Sequence, residues 1–312
     1  MGYCFCLNPA CPNFRNPDNN NHCHSCGKLL NQPVIFRSHY RVVKLLGQGA
    51  FGRTYQVEDT DYYNNPYVIK KFIAEVQGAQ LDIAKKLFEQ EAQRLYELKH
   101  PQIPKLRAYF KQGNSLYLVQ EFVEGEDLYK EFLKYGRFNE KKIRSLLTEL
   151  LPVIEYIHDH NVLHRDIKPQ NIMRDEQTKS LILIDFGGAK QKTGTLVSTP
   201  GTQIYTPGYA GYEHIIGSPD KPSDLFSLGA TCVRLLTGCF PQVDSNGNLQ
   251  DSVYNPNNGS WRWREILQQN NETISDDLGK VLDKLLEHLA DNRYQTAAEV
   301  MKALQSPPPP PP

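Results

Sequence analysis

Between residues 40 and 72 apolar and polar positions follow one another in short runs. "YRVVKLLGQGAFGRTYQV" reads as a strand pattern that breaks at its glycines, and "YVIKKF" as another strand. The period then changes. In "LDIAKKLFEQEAQRLYELKH" the residues Phe88, Ala92, Leu95 and Leu98 recur at i, i+4, i+7 and i+10, which predicts a helix that Pro101 stops. "SLYLVQEFVEG" predicts a strand running to a glycine. From Glu140 to His160 the residues Ile143, Leu146, Leu147, Leu150, Leu151, Ile154 and Ile157 recur at threes and fours, which predicts a second helix, and "SLILIDF" reads as a short buried strand. Beyond Asp224 the pattern is mostly helical to Gln305. Strands early and helices late predict two lobes. Residues 1–30 carry no apolar periodicity, residues 31–39 read as a linker, and the tail at 306–312 is a short polyproline II segment. No internal repeat interrupts this order.

Composition narrows the class. A chain of 312 residues has room for one large domain or two medium ones, and 39% hydrophobic with 22% charged residues is ordinary for a soluble globular protein. A formal net charge of zero gives no basic excess for nucleic acid or an anionic membrane. No apolar run approaches the roughly 18 residues that span a bilayer. No secretory signal opens the chain, and although Met1-Gly2 resembles a myristoylation start, Cys6 stands where that motif wants Ser or Thr. A cytoplasmic protein with no nucleic-acid partner and no membrane insertion is the expectation.

In a reducing compartment a dense cysteine cluster is more often a metal site than a disulfide framework. Cys6-x4-Cys11 and Cys23-x2-Cys26-Gly27 form two short hooks, and four thiolates in paired hooks suit tetrahedral Zn²⁺. About thirty residues without a core need such a staple. Cys4 is an alternative to Cys6 in the first hook, with Cys6 preferred because its gap to Cys11 makes the better loop. His22 and His24 flank Cys23 as alternative ligands. A spare Cys4 beside a zinc tetrathiolate also leaves a thiol-redox site open. Cys232 and Cys239 stand apart, in or beside an apolar helix, and read as core thiols.

"GQGAFG" spaces Gly47, Gly49 and Gly52 as G-x-G-x-x-G, a weak motif alone. Here a strand-like "RTYQVED" follows it rather than a helix, the layout of a strand-turn-strand flap whose amides cover nucleotide phosphates. Lys70 in "VIKK" is a cation suited to those phosphates, and Lys71 points to the opposite face. Glu91 lies on the inward stripe of its helix, where a carboxylate is costly unless paired, whereas Glu89 is off that stripe. Further on, "HRDIKPQN" and "LILIDFGG" crowd polar groups beside apolar runs. With these, the chain from about Tyr40 to about Leu304 resembles a eukaryotic-type (Hanks-type) Ser/Thr protein kinase, and the cysteine ribbon before it is similar to that of cyanobacterial Ser/Thr kinases with an N-terminal Cys motif.

The resemblance implies an α+β, bilobal protein-kinase-like fold. A zinc-ribbon-like module at 1–30 would precede a kinase domain at 40–305, with an N-lobe at 40–120 and a C-lobe at 124–305. It implies ATP and Mg²⁺ (or Mn²⁺) as cofactors, with structural Zn²⁺ on Cys6, Cys11, Cys23 and Cys26. Asp166 would accept or orient the substrate hydroxyl, Lys168 reach the transferring phosphate, Asn171 and Asp185 bind Mg²⁺, and Lys70 pair with Glu91. Nucleotide contacts would come from Gly47, Gln48, Gly49, Ala50, Phe51, Gly52, Val68, Lys70, the gatekeeper Gln120, the backbones of Glu121 and Val123, and Asp127. His164 would be a packing residue, Arg165 would meet a phosphorylated residue, and Thr206 would bond Asp166 and Lys168. Glu213 would pair with Arg293, and Asp224 would brace the catalytic loop. Thr193, Thr195, Ser198, Thr199 and Thr202 are phosphoacceptor candidates for self-phosphorylation in trans. Protein substrates carrying Ser or Thr complete the implied partners. Two departures stand out: Thr54 replaces the usual valine, and "GYE" replaces A-P-E. A pseudokinase scaffold and a small-molecule phosphotransferase remain as rivals.

Overall fold

The structure is a computed structural model and describes residues 3–305, apart from 7, 9–10, 12–14, 18–19, 31–33, 50–51, 73–78, 114, 187–189, 192–205, 245–248 and 256–257. Two compact units divide the chain. One comprises Met1–Lys99 with Pro104–Phe122, the other His100–Ile103 with Val123–Pro312. The four residues 100–103 join the second unit because Gln102 is bonded there. Its carbonyl accepts from the Leu183 amide at 2.9 Å, and its Nε2 donates to the Leu181 carbonyl at 2.8 Å.

The first unit opens with a small hairpin of β1 (Tyr3–Phe5) and β2 (Arg15–Pro17), followed by a six-stranded antiparallel sheet. That sheet contains β3 (Ile35–Phe36), β4 (Tyr40–Gly49), β5 (Gly52–Asp59), β6 (Asn65–Phe72), β7 (Leu106–Gln112) and β8 (Ser115–Glu121), in the order β3-β4-β5-β6-β8-β7. Helix α1 (Ala79–Glu97) lies between β6 and β7 in sequence. Alternation along β5 buries Arg53, Tyr55, Val57 and Asp59, and Tyr55 and Val57 join Phe36, Ile69, Tyr117 and Val119 in the core on that face. Gly52 faces Phe72 across the ladder, where a Cβ would stand 2.1 Å from the Lys71 carbonyl oxygen, so the approach of β5 to β6 requires glycine. The sequence pattern missed β7, whose alternation in "LRAYFKQ" leaves almost every position part-exposed.

The second unit pairs β9 (Gly125–Asp127), β10 (Ile172–Asp175) and β11 (Leu181–Leu183) and is otherwise built largely of helices. Helix α2 (Leu128–Tyr135) is capped by Asp127, and α3 (Glu140–Asp159) by Asn139. Ahead of α5 lies a single turn, α4 (Tyr212–Ile215). Helix α5 (Lys221–Thr237) is buried on all sides from Pro222 onward, starts in a capping box between Asp220 and Ser223, and ends on the left-handed Gly238. Past α5 the chain is mostly helical, as its pattern predicts, with two short strand interruptions that the pattern did not show. Two short strand pairs, Gln242–Val243 with Leu249–Gln250 and Tyr254–Asn255 with Ser260–Trp261, precede α6 (Trp263–Gln269), α7 (Asp276–Leu285) and α8 (Ala297–Gln305). Segments this short carry too few residues to show a period.

Two buried ion pairs tie the segments flanking α5 to its surroundings. Arg293 donates to both oxygens of Glu213, at 2.6 and 3.2 Å, with its guanidinium 4.4 Å from the Phe226 ring centre. Arg234 bonds Asp251 and the Gly208 carbonyl. Removing one partner of a buried pair strands the other charge. Arg293→Met is therefore expected to cost about 3–5 kcal/mol in urea unfolding. Arg262→Met, in a pair with Glu265 that is more than half exposed, is expected to stay within about 1 kcal/mol of the parent.

Candidate active site

In the first unit Lys70 and Glu91 form an ion pair with Nζ–Oε1 at 2.5 Å, their side chains 14% and 5% exposed. The pairing follows from two periods. Lys70 takes its place in β6 opposite Thr54 of β5, while Glu91 sits between Phe88 and Leu95 on the buried stripe of α1. Lys71 is the more deeply buried lysine. Burial, with the charge of Arg53 behind it, pulls its amine down to about 8. Gly47 has open space where a Cβ would stand, Gln48 is exposed, and Gly49 closes β4 opposite Gly52. Ala50 and Phe51 lie outside the described residues. Val68 and Gln120 face each other across β6 and β8 and are both buried. The Glu121 amide is already given to the Lys105 carbonyl at 3.0 Å, so a base there would find only its carbonyl.

The remaining sequence-derived residues lie in the second unit. Val123 is half-buried at its start. Asp127 is engaged locally: its Oδ1 accepts from the Lys130 amide at 2.9 Å and its Oδ2 pairs with Lys130 Nζ at 2.9 Å. The carboxylate thus caps α2, a role that spacing alone did not suggest.

The loop from His164 to Asn171 is held from below by Asp224 of α5. Its Oδ2 accepts from the His164 amide at 2.9 Å and its Oδ1 from the Arg165 amide at 2.8 Å. His158 Nε2 sits 2.9 Å from Oδ2, and against a carboxylate that nitrogen carries the proton. Burial alone would raise the Asp224 carboxyl, but the bond and charge of His158 and the loop amide hold it at about 2. Arg165, which it fixes, stands at φ +66°, and so does Asp185 further along the chain. A left-handed non-glycine residue persists only where its surroundings impose it. His164 is fully buried, stacks edge-on to Phe186 at 4.8 Å, and has both ring nitrogens engaged, by the Ile184 carbonyl and the Asp166 amide. Burial keeps it below the ordinary histidine range, so it is a neutral packing group.

Above this floor Asp166 is fixed from three sides. Thr206 Oγ1 donates to Oδ1 at 2.6 Å, Asn171 Nδ2 donates to Oδ2 at 2.8 Å, and Lys168 Nζ lies 2.8 Å from Oδ2. Lys168 also donates to Thr206 at 2.8 Å. Both bonds of the Asn171 side chain to Asp166 use Nδ2, which turns its amide oxygen elsewhere as a hard donor. With the Asp185 carboxylate this is oxygen chemistry that suits Mg²⁺. The phosphoacceptor candidates Thr193, Thr195, Ser198, Thr199 and Thr202 lie outside the described residues.

The cysteine hooks of the first unit converge. The Sγ atoms of Cys6, Cys11, Cys23 and Cys26 all lie within 4.8 Å of one another, with Cys6–Cys26 at 3.6 Å and Cys11–Cys23 at 3.4 Å. Tetrahedral Zn–S bonds of about 2.3 Å place sulfurs roughly 3.8 Å apart, so the donor set fits zinc. Gly27 turns the second hook at φ +67°, and its amide donates to the Cys23 carbonyl at 2.8 Å. Burial pushes the Cys6 thiol up to about 11. Cys23 falls to about 6, because the amides of Cys26 and Ser25 outweigh its desolvation. Cys4 runs along β1 opposite Asn16, and His22 and His24 are exposed, with His24 Nε2 bonded to Asn20. Cys232 is fully buried.

Comparison with known proteins follows this geometry closely. The family model described as "Protein kinase domain" matches residues 40–306. The chain is 35% identical to Serine/threonine-protein kinase B of Synechocystis sp., over 97% of this chain and 52% of that protein. It is 38% identical to Serine/threonine-protein kinase F of the same organism, over 96% of this chain and 63% of that protein. It is 35% identical to Serine/threonine-protein kinase PknA of Nostoc sp., over 87% of this chain and 48% of that protein. The chain thus spans about half to two thirds of the length of these relatives. Among the described residues no helix is long and apolar enough to cross a membrane.

Asp224→Ala strands three donors, from His158, His164 and Arg165, at about 1–3 kcal/mol each. The expected outcome is a loss of about 3 kcal/mol or more in chemical denaturation. Amide hydrogen exchange at His164 and Arg165 should accelerate beyond what the global loss of stability explains.

Proposed function

The chain belongs to the protein kinase family, and from that premise we propose that it transfers the γ-phosphate of ATP to Ser and Thr hydroxyls of proteins. The observation that carries this reading is the orientation of Asp166 by Thr206, Asn171 and Lys168. Phosphoryl transfer asks for positioning and charge neutralisation more than covalent chemistry. Mg²⁺ would supply positive charge that offsets the charge of the phosphates. Asn171 and Asp185 would hold it through their oxygens.

The protein groups do the rest. Lys70, steadied by Glu91, meets the nucleotide phosphates, and the amides of the turn from Gly47 to Gly52 cover them. Asp166 aligns the incoming hydroxyl and takes its proton as the new O–P bond forms and the bond to the departing ADP oxygen breaks. Lys168 lies beside that carboxylate and offsets charge on the moving phosphoryl group. Thr206 links Lys168 to Asp166, so the two are set together. A hydroxyl-bearing segment of the chain itself is among the substrates, reached in trans from a second copy. The setting is the cytoplasm.

The cysteine cluster holds structural Zn²⁺ through Cys6, Cys11, Cys23 and Cys26. Among the described residues Leu30 is the one apolar non-cysteine side chain packed against the thiols, so a metal would supply much of what holds the module together. Binding deprotonates Cys6, whose burial otherwise keeps it a thiol.

Asp166→Asn keeps shape and removes the proton acceptor. Phosphate transfer to a generic Ser/Thr protein substrate is expected to fall by about 10³-fold, with nucleotide affinity little changed. Transfer at the parental rate by that variant sinks the assignment of Asp166. No transfer by the parent, despite nucleotide binding, sinks the kinase reading. Native intact mass of the same samples should show one zinc per chain in both. Four reduced thiols without metal would remove the zinc.

A further inference from the structure

The cysteine module and the glycine-rich turn are joined by one side chain. Arg53 follows the turn on β5 and takes the inward face, so the residue is only 4% exposed. A buried cation needs specific partners. Arg53 Nη2 donates to the Cys11 carbonyl at 2.6 Å, across 42 residues of sequence. Its Nε donates to Gln48 Oε1 at 3.1 Å. Gln48 lies between Gly47 and Gly49 and is the register partner of Arg53 across the β4–β5 ladder. One end of the guanidinium thus grips the backbone of a cluster cysteine, and the other grips the segment whose amides would cover phosphate.

We propose that Arg53 is a positioning residue through which the metal-loaded cysteine module holds the glycine-rich turn ready for ATP, so that loss of the metal weakens nucleotide binding. This rests on the kinase and zinc readings above and adds the link between them. The Cys11 carbonyl has a fixed place only while Cys11 is held. Its amide bonds the Asn8 carbonyl at 3.0 Å, and Asn8 in turn donates to Cys26 Sγ at 3.5 Å, so the local bonds of Cys11 lead back into the cluster. A metal clamping four thiols fixes the whole turn and therefore the anchor of Arg53. With the anchor fixed, Gln48 and the strand ends that flank the turn are held before nucleotide arrives, and binding is spared the cost of holding them. With the anchor loose, the guanidinium no longer spans both partners, and Gln48 is held from one side only.

The link is specific to geometry rather than to charge. A lysine at position 53 keeps the charge but has a single terminal nitrogen in place of a planar fork. Arg53→Lys is therefore expected to behave like Arg53→Met and to give little rescue.

The test measures the dissociation constant of a fluorescent ATP analogue on the full chain, with zinc bound and after zinc removal by chelation. Zinc content is read by native mass. Zinc removal is expected to raise the dissociation constant about tenfold in the parent, and Arg53→Met to raise it about as much with zinc in place. The two effects should not add, because both cut the same connection. In steady-state assays of Arg53→Met the KM for ATP should rise while kcat at saturating ATP moves far less. Gln48→Ala, at an exposed position, checks the other end without disturbing the core, and it too should raise the dissociation constant without adding to zinc removal.

Additive effects of Arg53→Met and zinc removal overturn the link, as does an unchanged affinity in Gln48→Ala. A parent that carries no zinc overturns both the link and the zinc reading. A parent that binds zinc and nucleotide yet transfers no phosphate overturns the kinase reading alone, and the binding constants still decide the link.

Discussion

A carboxylate with no access to water organises the second unit. Asp224 projects from a helix buried on all sides and receives two consecutive loop amides and a histidine. Those bonds impose a left-handed turn on Arg165, a residue that would otherwise avoid it. The turn presents Asp166 to Thr206, Asn171 and Lys168. The position of one reactive oxygen thus rests on a chain of hydrogen bonds that begins in the core. Burying a charge this way is costly unless every lone pair is used, and here the partners are supplied by the very backbone that has to be shaped.

The first unit meets its constraint differently. Lys70 and Glu91 come from a strand and a helix whose buried faces coincide, and each charge makes the other tolerable inside. Arg53 follows the same logic at the far end of β5, where the alternating pattern sends a guanidinium inward and the cysteine module supplies a carbonyl for it. The cysteine module is thereby placed in contact with the strand that follows the glycine turn.

Much of this was legible before any coordinates. Glu91 stood out because a carboxylate interrupts the stripe from Phe88 to Leu95, and such an interruption needs a partner. The two helices read from leucine spacing are present, as is the cluster of Cys6, Cys11, Cys23 and Cys26. Chemistry that depends on contacts across the chain was not legible. Nothing in the local sequence singles out Arg53, since its two partners are a backbone carbonyl 42 residues away and a side chain in the preceding strand. The helix-capping role of Asp127 was not legible either, because it depends on where α2 begins. Strand β7 escaped because its alternation buries little, and the short strand pairs after α5 because two residues have no period.

The central claim is that Asp224 acts on catalysis by shaping the loop that carries Asp166. Asp224→Asn keeps the volume and one acceptor but turns the other into a donor facing an amide. Measuring kcat and nucleotide affinity for this variant, on protein shown to be folded at the assay temperature, tests that claim directly. The account predicts a fall in kcat of about a hundredfold with nucleotide affinity unchanged, since a small misplacement of a reacting group costs about that much. An unchanged kcat in the folded variant would contradict it.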